Sequence, residues 1–410
     1  MEKIDFSKTA DRENTNSVKW NKDAIANIAS NRDAKPFWVA DMDFISESHI
    51  HEEAIKIAEN GVFGYPSQSS ELLNAFSSWL LKRHEWNVNR ANIVFTMGLL
   101  HGIGLAIDLF TKPGDRILVP SPTYRPFRTL CEASDRIMED MPLHYEDGGF
   151  SLDRESFIAH ARRSSLILFC SPHNPSGLVF SESDLSFVLE TAKELDILVF
   201  SDEIHADLVH PKAHHIPMGK ANEKIGAKCI TYMAPSKTFN VAGEHSAFAV
   251  FSDKDMLKTF KKKQEALFLT TPGYLIGELS LAAYKHGYEY NKELCKYLED
   301  NASFIRTYFE KNAPELKLVN GDASFVTFID CASIYDKVKA KAESDKERYK
   351  GGEGGGILSR FFGVEADVAM NDGTWFGDDY YNFVRFNYGT SRERVKEAVE
   401  NIAKAVKALR

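Results

Sequence analysis

The chain has 410 residues, of which 43% are hydrophobic and 27% charged, a composition typical of globular proteins with two or three domains. Its formal net charge of -9 argues against nucleic acid as the main ligand, because proteins that bind phosphate backbones concentrate lysine and arginine. No apolar run is long enough to cross a bilayer, and the N-terminus lacks the apolar core of a signal peptide.

The cysteines and histidines do not predict a disulfide framework or a metal site. The five cysteines are an odd number, and no pair has the C-x-x-C spacing of structural zinc sites. Four histidines cluster between 205 and 215, but their spacing matches no standard zinc pattern, so no metal is predicted. We therefore expect a protein of the reducing cytoplasm.

The first part of the chain is polar and is predicted to form an N-terminal arm and part of a small domain over 1–46. It contains an apolar stretch, residues 36–44, with two carboxylates inside it. Helices are predicted at about 47–59 and 70–83, and the first ends at Gly61.

From about residue 91, strands alternate with helices. Short runs that are apolar on both faces predict a mostly parallel sheet covered by helices on both sides, an α/β domain of three layers over 47–288. A further run, 247–251, is predicted as an added antiparallel strand. The parallel runs are 93–96, 116–119, 166–170, 197–200 and 229–233.

The last part of the chain predicts a smaller α/β domain over 289–410. A long helical pattern runs from about 287 to 311, strands are predicted at 324–329 and 383–387, and a final helix has apolar residues at helical spacing. The glycine-rich stretch 351–356 is predicted to be a loop and not a phosphate site, because no strand leads into it.

The polar residues that follow the predicted strands point to one ligand site, because ligands of open α/β sheets bind outside the carboxyl ends of the strands. A lysine just past a buried strand can be desolvated, which lowers its pKa and suits Schiff-base chemistry. A helix start after the first strand offers free backbone N–H groups to a phosphate. The residues in question are Gly98, Leu99, Leu100, Tyr124, Asn174, Asp202, His205, Ser236 and Lys237.

These groups would complement a flat pyridine ring that carries a phosphate, a phenolic oxygen and an aldehyde. Asp202 could keep a proton on the ring nitrogen, Asn174 and His205 could donate to the phenolic oxygen, and Tyr124 could stack on the ring. Adjacent strand residues face opposite ways, so only one of Asp202 and Glu203 can face the ligand, and we predict Asp202.

Four motifs carry a resemblance to a known family: Asn174-Pro175-x-Gly177, Asp202-Glu203-x-His205, Ser236-Lys237-x-Phe239, and Arg385 near the end. With them the chain resembles the fold-type I pyridoxal 5′-phosphate (PLP) enzymes of the aminotransferase class I/II superfamily. The resemblance implies that Arg385 binds the α-carboxylate of the substrate, as the guanidinium fork allows. It also implies a homodimer in which Tyr65 reaches the cofactor phosphate of the partner subunit.

Within that superfamily, the stretches 38–44, 201–208 and 371–377 are similar to the MalY/PatB-type cystathionine β-lyases, also called C–S lyases. This resemblance implies β-elimination of a thiol from L-cystathionine or other L-cysteine S-conjugates, which yields pyruvate and ammonia. Lys237 would then remove the Cα proton, and Trp38 and Ala40 would contact the substrate.

Two alternatives stay open at this stage. An aminotransferase would share every residue named above, because both reactions begin with the same proton removal. A non-catalytic protein on the same scaffold would not require Lys237 together with Asp202. One departure also bears on the site: many aminotransferases have an arginine eight residues after the lysine, where this chain has His245, preceded by Glu244. The contacts to the phosphate are therefore left open.

Overall fold

The computed structural model describes residues 4–66, 70–352 and 354–410, so the first three residues of the predicted arm and Glu353 of the predicted loop lie outside the described part. The strands of these ranges are β1 (Lys35–Pro36), β2 (Ile93–Thr96), β3 (Arg116–Ser121), β4 (Ile137–Pro142), β5 (His144–Glu146), β6 (Gly149–Ser151), β7 (Leu166–Cys170), β8 (Leu198–Asp202), β9 (Cys229–Met233), β10 (Ala247–Phe251), β11 (Lys317–Leu318), β12 (Val326–Asp330), β13 (Val368–Ala369), β14 (Asn371–Asp372) and β15 (Phe383–Asn387).

The α-helices of the same ranges are α1 (Lys22–Ala29), α2 (Ser48–Asn60), α3 (Ser70–His84), α4 (Leu99–Phe110), α5 (Arg125–Ala133), α6 (Arg154–Ala161), α7 (Glu182–Glu194), α8 (Met218–Asn222), α9 (Pro235–Thr238), α10 (Lys254–Ala266), α11 (Tyr274–His286), α12 (Tyr288–Asn312), α13 (Ala332–Ser344), α14 (Ile357–Ala366) and α15 (Arg392–Lys407). No helix in the described ranges is both long enough and apolar enough to span a bilayer.

The central sheet has the order β2-β10-β9-β8-β7-β3-β4 over the described residues. Its strands are parallel except for β10, which pairs antiparallel with both β2 and β9. The predicted α/β class with a mostly parallel sheet is therefore confirmed. The predicted antiparallel strand is correct, although it lies between two strands and not at an edge.

Both faces of this sheet are buried, as the doubly apolar strands predicted. In β7, Ile167 and Phe169 pack into one core with residues of α6 and α7, while Leu166 and Leu168 pack into a second core with residues of α4 and α10. All four side chains are fully buried. Each contributes about 1.5–3 kcal/mol of transfer free energy, so the sheet that carries the polar residues at its carboxyl end is rigidly held.

The C-terminal part contains an antiparallel sheet with the order β11-β12-β15-β14. Helices α14 and α15 pack against each other beside it. The N-terminal part joins this region, since β1 pairs in parallel with β13. The ranges of the predicted domains stay a prediction, but this pairing brings the stretch after β1 close to Arg385 on β15.

Candidate active site

A cavity of about 400 Å³ opens at the carboxyl ends of β7, β8 and β9, next to the start of α4. It brings together most of the residues that the sequence singled out, which come from widely separated parts of the chain. They are Ala40, Gly98, Leu99, Leu100, Tyr124, Asn174, Asp202, His205, Ser236 and Lys237.

Lys237 lies on α9, a single helical turn that directly follows β9 and begins with Pro235, whose restricted φ suits a first helical position. Its Nζ donates to the carbonyl oxygen of Ala40 at 2.6 Å. Burial lowers the pKa of Lys237 to about 8, although the nearby negative charge of Asp41 acts to raise it. The amine therefore loses its proton far more readily than an ordinary lysine and can act as a base.

Asp202 ends β8 and faces the cavity, where its Oδ1 accepts from the backbone N–H of Ile204 at 3.0 Å. Burial raises the pKa of Asp202 to about 7, although the Ile204 N–H lowers it. Glu203 points the other way and accepts from Ser201 Oγ and the Met218 N–H, at 2.9 and 2.7 Å. The alternation of side chains along the strand thus puts Asp202, with few hydrogen bonds, in the cavity and Glu203, with several, behind it.

His205 and Tyr124 bring a neutral imidazole and a phenol to the same cavity. The Nδ1 of His205 lies 3.1 Å from Ser324 Oγ, and burial lowers the pKa of this histidine to about 3. Burial raises the pKa of Tyr124. Both groups are therefore uncharged at neutral pH, so they can stack on or hydrogen bond to a ligand without adding charge.

Gly98 directly precedes α4 and caps its start, with a φ of +93°, a conformation that favours glycine. Backbone N–H groups at the start of this helix have no partner within the helix, which suits an anion. His245, the residue where many aminotransferases have an arginine, lies in the cavity wall, and its side chain is against Gly98. The structure thus places the imidazole of His245 at this end of the cavity.

Arg385 is buried on β15 at the edge of the cavity. Its Nη2 donates to the Trp38 carbonyl oxygen at 2.7 Å and to Asn371 Oδ1 at 2.8 Å, and its Nη1 donates to Asn174 Oδ1 at 3.2 Å. Every one of these acceptors is neutral, and no carboxylate of the described residues lies within 4.0 Å of its guanidinium.

Two donors at this corner also lack a partner among the described residues: the Nε of the guanidinium itself and Nδ2 of the neighbouring Asn371. Burial lowers the pKa of Arg385 to about 10, which still leaves it a cation at neutral pH. A buried cation without an anionic partner is unfavourable on its own. This corner of the site is therefore suited to receive a carboxylate.

Three predicted residues do not line the cavity: Trp38, Tyr65, and Arg385, which reaches it through its bond to Asn174. The indole of Trp38 packs in a small core with α1, and its Nε1 donates to the Lys19 carbonyl oxygen at 3.0 Å, so Trp38 meets Arg385 only through its backbone. Tyr65 follows α2 with a fully exposed side chain and does not line the cavity of its own chain.

The stretch from 38 to 44 is held by groups that the sequence did not single out. Lys19, only 1% exposed, bonds to Asp43 Oδ1 at 2.9 Å and to the Asp41 carbonyl oxygen at 3.1 Å. Asn387 donates to the Asp41 carbonyl oxygen, and Asn240 donates to those of Met42 and Phe44. The only signal in the sequence was the pair of carboxylates within an apolar run.

A second buried group lies behind Lys237. Asp207 Oδ1 accepts from Trp79 Nε1 at 2.9 Å and lies 2.7 Å from His84 Nε2, while its Oδ2 accepts from Thr238 Oγ1 at 3.2 Å. Burial would raise the pKa of Asp207, but the His84 bond and the other donors lower it overall. Thr238 directly follows the lysine, so this group supports the turn that presents Lys237.

Other walls of the cavity come from Met97, His101, Cys170, Ile204, Ala242 and Ser246. Sequence reasoning missed most of them, because apart from His101 and Cys170 their residue types carry no distinctive chemistry.

Comparisons with known proteins agree with this site. The model of the family "Aminotransferase class I and II" matches residues 41–402. Cystathionine beta-lyase PatB of Bacillus subtilis is 31% identical over 98% of this chain and 100% of its own length. A PLP-bound putative aminotransferase from Clostridium difficile has a TM-score of 0.89 and 26% identity, over 98% of this chain and 100% of that one. The PLP-bound C-S lyase from Staphylococcus hominis has a TM-score of 0.87 and 26% identity, over 98% of both chains.

Proposed function

Since the chain belongs to the aminotransferase class I and II family, we propose that it is a PLP-dependent C–S β-lyase. Its substrates are L-cystathionine and other L-cysteine S-conjugates, from which it releases a thiol, pyruvate and ammonia. The observation that carries the proposal is the presence in one cavity of Lys237 and Asp202, with the guanidinium of Arg385 bonded to Asn174 in its wall and without a carboxylate partner among the described residues. The relatives named cystathionine β-lyase support the choice of sulfur substrates.

The residues of the cavity fit PLP. The start of α4 and Ser236 suit the phosphate, and Asn174 and His205 would hold the oxygen on the ring. Asp202 accepts from one backbone donor among the described residues, and its carboxylate would pair with the protonated ring nitrogen. When bound, the cofactor withdraws electrons from the Cα of an amino acid attached to it.

The chain's own groups then bind the substrate and move its proton. Arg385 takes the α-carboxylate, using donors that now lack a partner. Lys237, with its pKa lowered to about 8, removes the Cα proton. The C–S bond breaks with its electron pair on sulfur, which leaves as a thiolate and takes up a proton. One water is consumed overall, giving pyruvate and ammonia.

Product analysis separates a lyase from an aminotransferase. We expect the holoenzyme to release equal amounts of pyruvate and homocysteine from L-cystathionine with no 2-oxo acid added. An aminotransferase would require a 2-oxo acid and would convert it to the matching amino acid. Amino transfer at a high rate without pyruvate release would overturn the proposal.

We also propose that two copies of the chain pair and that Tyr65 completes the site of the partner. Tyr65 is fully exposed, and two apolar neighbours, Val62 and Phe63, are each 66% exposed. An apolar patch of this kind is typical of an interface.

Mixing two inactive variants tests this pairing. If Tyr65 acts across the interface, a mixed dimer of Y65A and K237A has one site with both native residues and regains activity. The two variants purified separately and mixed without subunit exchange are the control. A mixture that stays inactive after exchange would contradict the proposal.

A cytoplasmic location is proposed on the chemistry of the cysteines. All five are buried and free, with no disulfide among them, which fits a reducing compartment.

A further inference from the structure

Two neighbouring aromatic residues, Trp375 and Phe376, each have the guanidinium of an arginine over their ring. They belong to a short 3-10 helix, Gly373–Phe376. The guanidinium carbon of Arg385 lies 4.9 Å from the ring centroid of Phe376, and that of Arg125 lies 5.7 Å from the ring of Trp375. The two cations are therefore held by consecutive rings of one segment.

Contacts from three sides hold this segment in place. The backbone N–H of Thr123 donates to the Phe376 carbonyl oxygen at 2.8 Å, which ties the start of α5 to it. The Trp375 indole N–H donates to the Gly354 carbonyl oxygen, and its ring meets the ring of Trp38 edge-on at 6.3 Å. Trp375 is thus a fixed platform for the Arg125 guanidinium.

Arg125 is also next to the cavity along the chain. It is the first residue of α5 and directly follows Tyr124, which lines the cavity wall. The same backbone bond from Thr123 fixes this turn relative to Arg385 on the other side of Phe376. The backbone from which Arg125 extends is therefore anchored to the segment whose Phe376 ring lies under Arg385.

The charge of Arg125 is not neutralised by the protein. Its side chain is exposed, and in the described ranges no carboxylate lies within 4.0 Å of it. Arg128 on the same helix is paired with Asp140 at 3.6 Å, and Arg154, which also lies over an aromatic ring, is paired with Asp184 at 3.1 Å. Arg125 combines a held orientation with a free cationic fork, which suits a carboxylate.

We infer that Arg125 is a specificity-determining residue that makes the enzyme prefer L-cysteine thioethers with a carboxylate beyond the sulfur. In this arrangement Arg385 takes the α-carboxylate and Arg125 takes the distal one, and the thioether spans the space between them. The inference rests on the proposed function, because it concerns which thioethers that lyase cleaves.

A matched pair of substrates tests the inference: S-(2-carboxyethyl)-L-cysteine and S-(2-carbamoylethyl)-L-cysteine. They have nearly the same shape and differ in the charge beyond the sulfur. The readout is pyruvate release by the holoenzyme, with kcat and KM measured for each substrate. The variants are R125Q, R125K and, as a control that removes an arginine stacked on a ring elsewhere, R154Q.

We expect wild-type enzyme to favour the carboxylate substrate by about tenfold in kcat/KM, which corresponds to about 1.4 kcal/mol. The preference should lie in KM, because binding beyond the sulfur does not alter the bond that breaks. R125Q should abolish the preference and leave the amide substrate unaffected, R125K should retain part of it, and R154Q should behave as wild type.

The outcomes that overturn the inference are distinct from a failure of the proposed function. Equal kcat/KM for both substrates in wild type, or a preference unchanged in R125Q, would leave the lyase in place and remove the role of Arg125. A loss of preference in R154Q as large as in R125Q would also overturn it, because the effect would then be one of net charge. Failure of wild type to release pyruvate from either substrate would remove the proposed function and the inference together.

Discussion

Asp202 and Asp207 lie close together in the sequence, both are buried, and their surroundings are opposite. Asp202 faces the cavity with one backbone donor, and burial raises its pKa to about 7. Asp207 lies behind Lys237 and is bonded by Trp79, His84 and Thr238, so its pKa is lowered despite burial.

The cavity and the buried group around Asp207 differ in the same way, in how completely their charged groups are hydrogen bonded. In the cavity and beside it, Lys237, Asp202 and Arg385 are charged or titratable groups whose partners among the described residues are neutral or few. In the group behind it, the charge of Asp207 is fully bonded. A protein tolerates incompletely bonded buried charges where a ligand supplies the missing partner, and it completes the bonds where only position matters. The comparison therefore predicts that the cavity residues affect activity and that Asp207 affects stability.

The largest effect is expected for K237A, which removes the base from the cavity. Pyruvate release should fall by at least about 10³-fold, within the range for loss of a positioned acid–base group. The protein should still fold, because Lys237 lies in the wall of the cavity and its replacement by alanine removes an amine whose burial is unfavourable. K212A, which removes an exposed lysine, is the control. A K237A enzyme with the wild-type rate would refute the role of Lys237.

D202N is expected to lower kcat by about 10²- to 10³-fold, because it removes the negative charge that would pair with the ring nitrogen.

The same substitution should raise the free energy of unfolding near neutral pH. The folded pKa of Asp202, about 7, lies above its ordinary value of 3.8, so between these values the folded state binds a proton that the unfolded state does not. Stability from this group is full below pH 3.8 and is lost as the pH rises to about 7.

Thermal unfolding of the cofactor-free protein checks the sign. The difference in Tm between D202N and wild type should be near zero at pH 4 and should grow in favour of D202N up to about pH 7. A difference that shrinks over this range would show that the cavity stabilises the charged carboxylate. The comparison with Asp207 would then fail.

D207N is expected to have the smallest effect on the chemistry and a clear effect on stability. It removes a charge that three side chains stabilise, and we expect the free energy of unfolding to fall by about 2 kcal/mol. Chemical denaturation measures this loss. D196N, which alters an exposed carboxylate paired with Lys228, is the control and should change stability by less than about 0.5 kcal/mol. A D207N variant as stable as wild type would mean that the hydrogen bonds of Asp207 do not stabilise the fold.

Much of the fold could be predicted from the sequence because local patterns carry it. Runs that are apolar on both faces predict strands buried on both sides, and β2, β7, β9 and β10 lie at the predicted positions. The strand β4 was missed. It pairs with only one neighbour, β3, and as an edge strand it contains Glu139 and Asp140, so it lacks the apolar pattern.

The sequence by itself determined which residues follow the strand ends, and so which side chains share one edge of the sheet: Asn174, Asp202 and Lys237. Only the tertiary structure decided their electrostatic state, because burial and hydrogen bonding depend on segments far apart in the chain. The carbonyl oxygens of Trp38 and Ala40 meet Arg385 and Lys237 because β1 pairs with β13. Pairing of that kind leaves no local pattern, since desolvation and missing partners are properties of the packed chain.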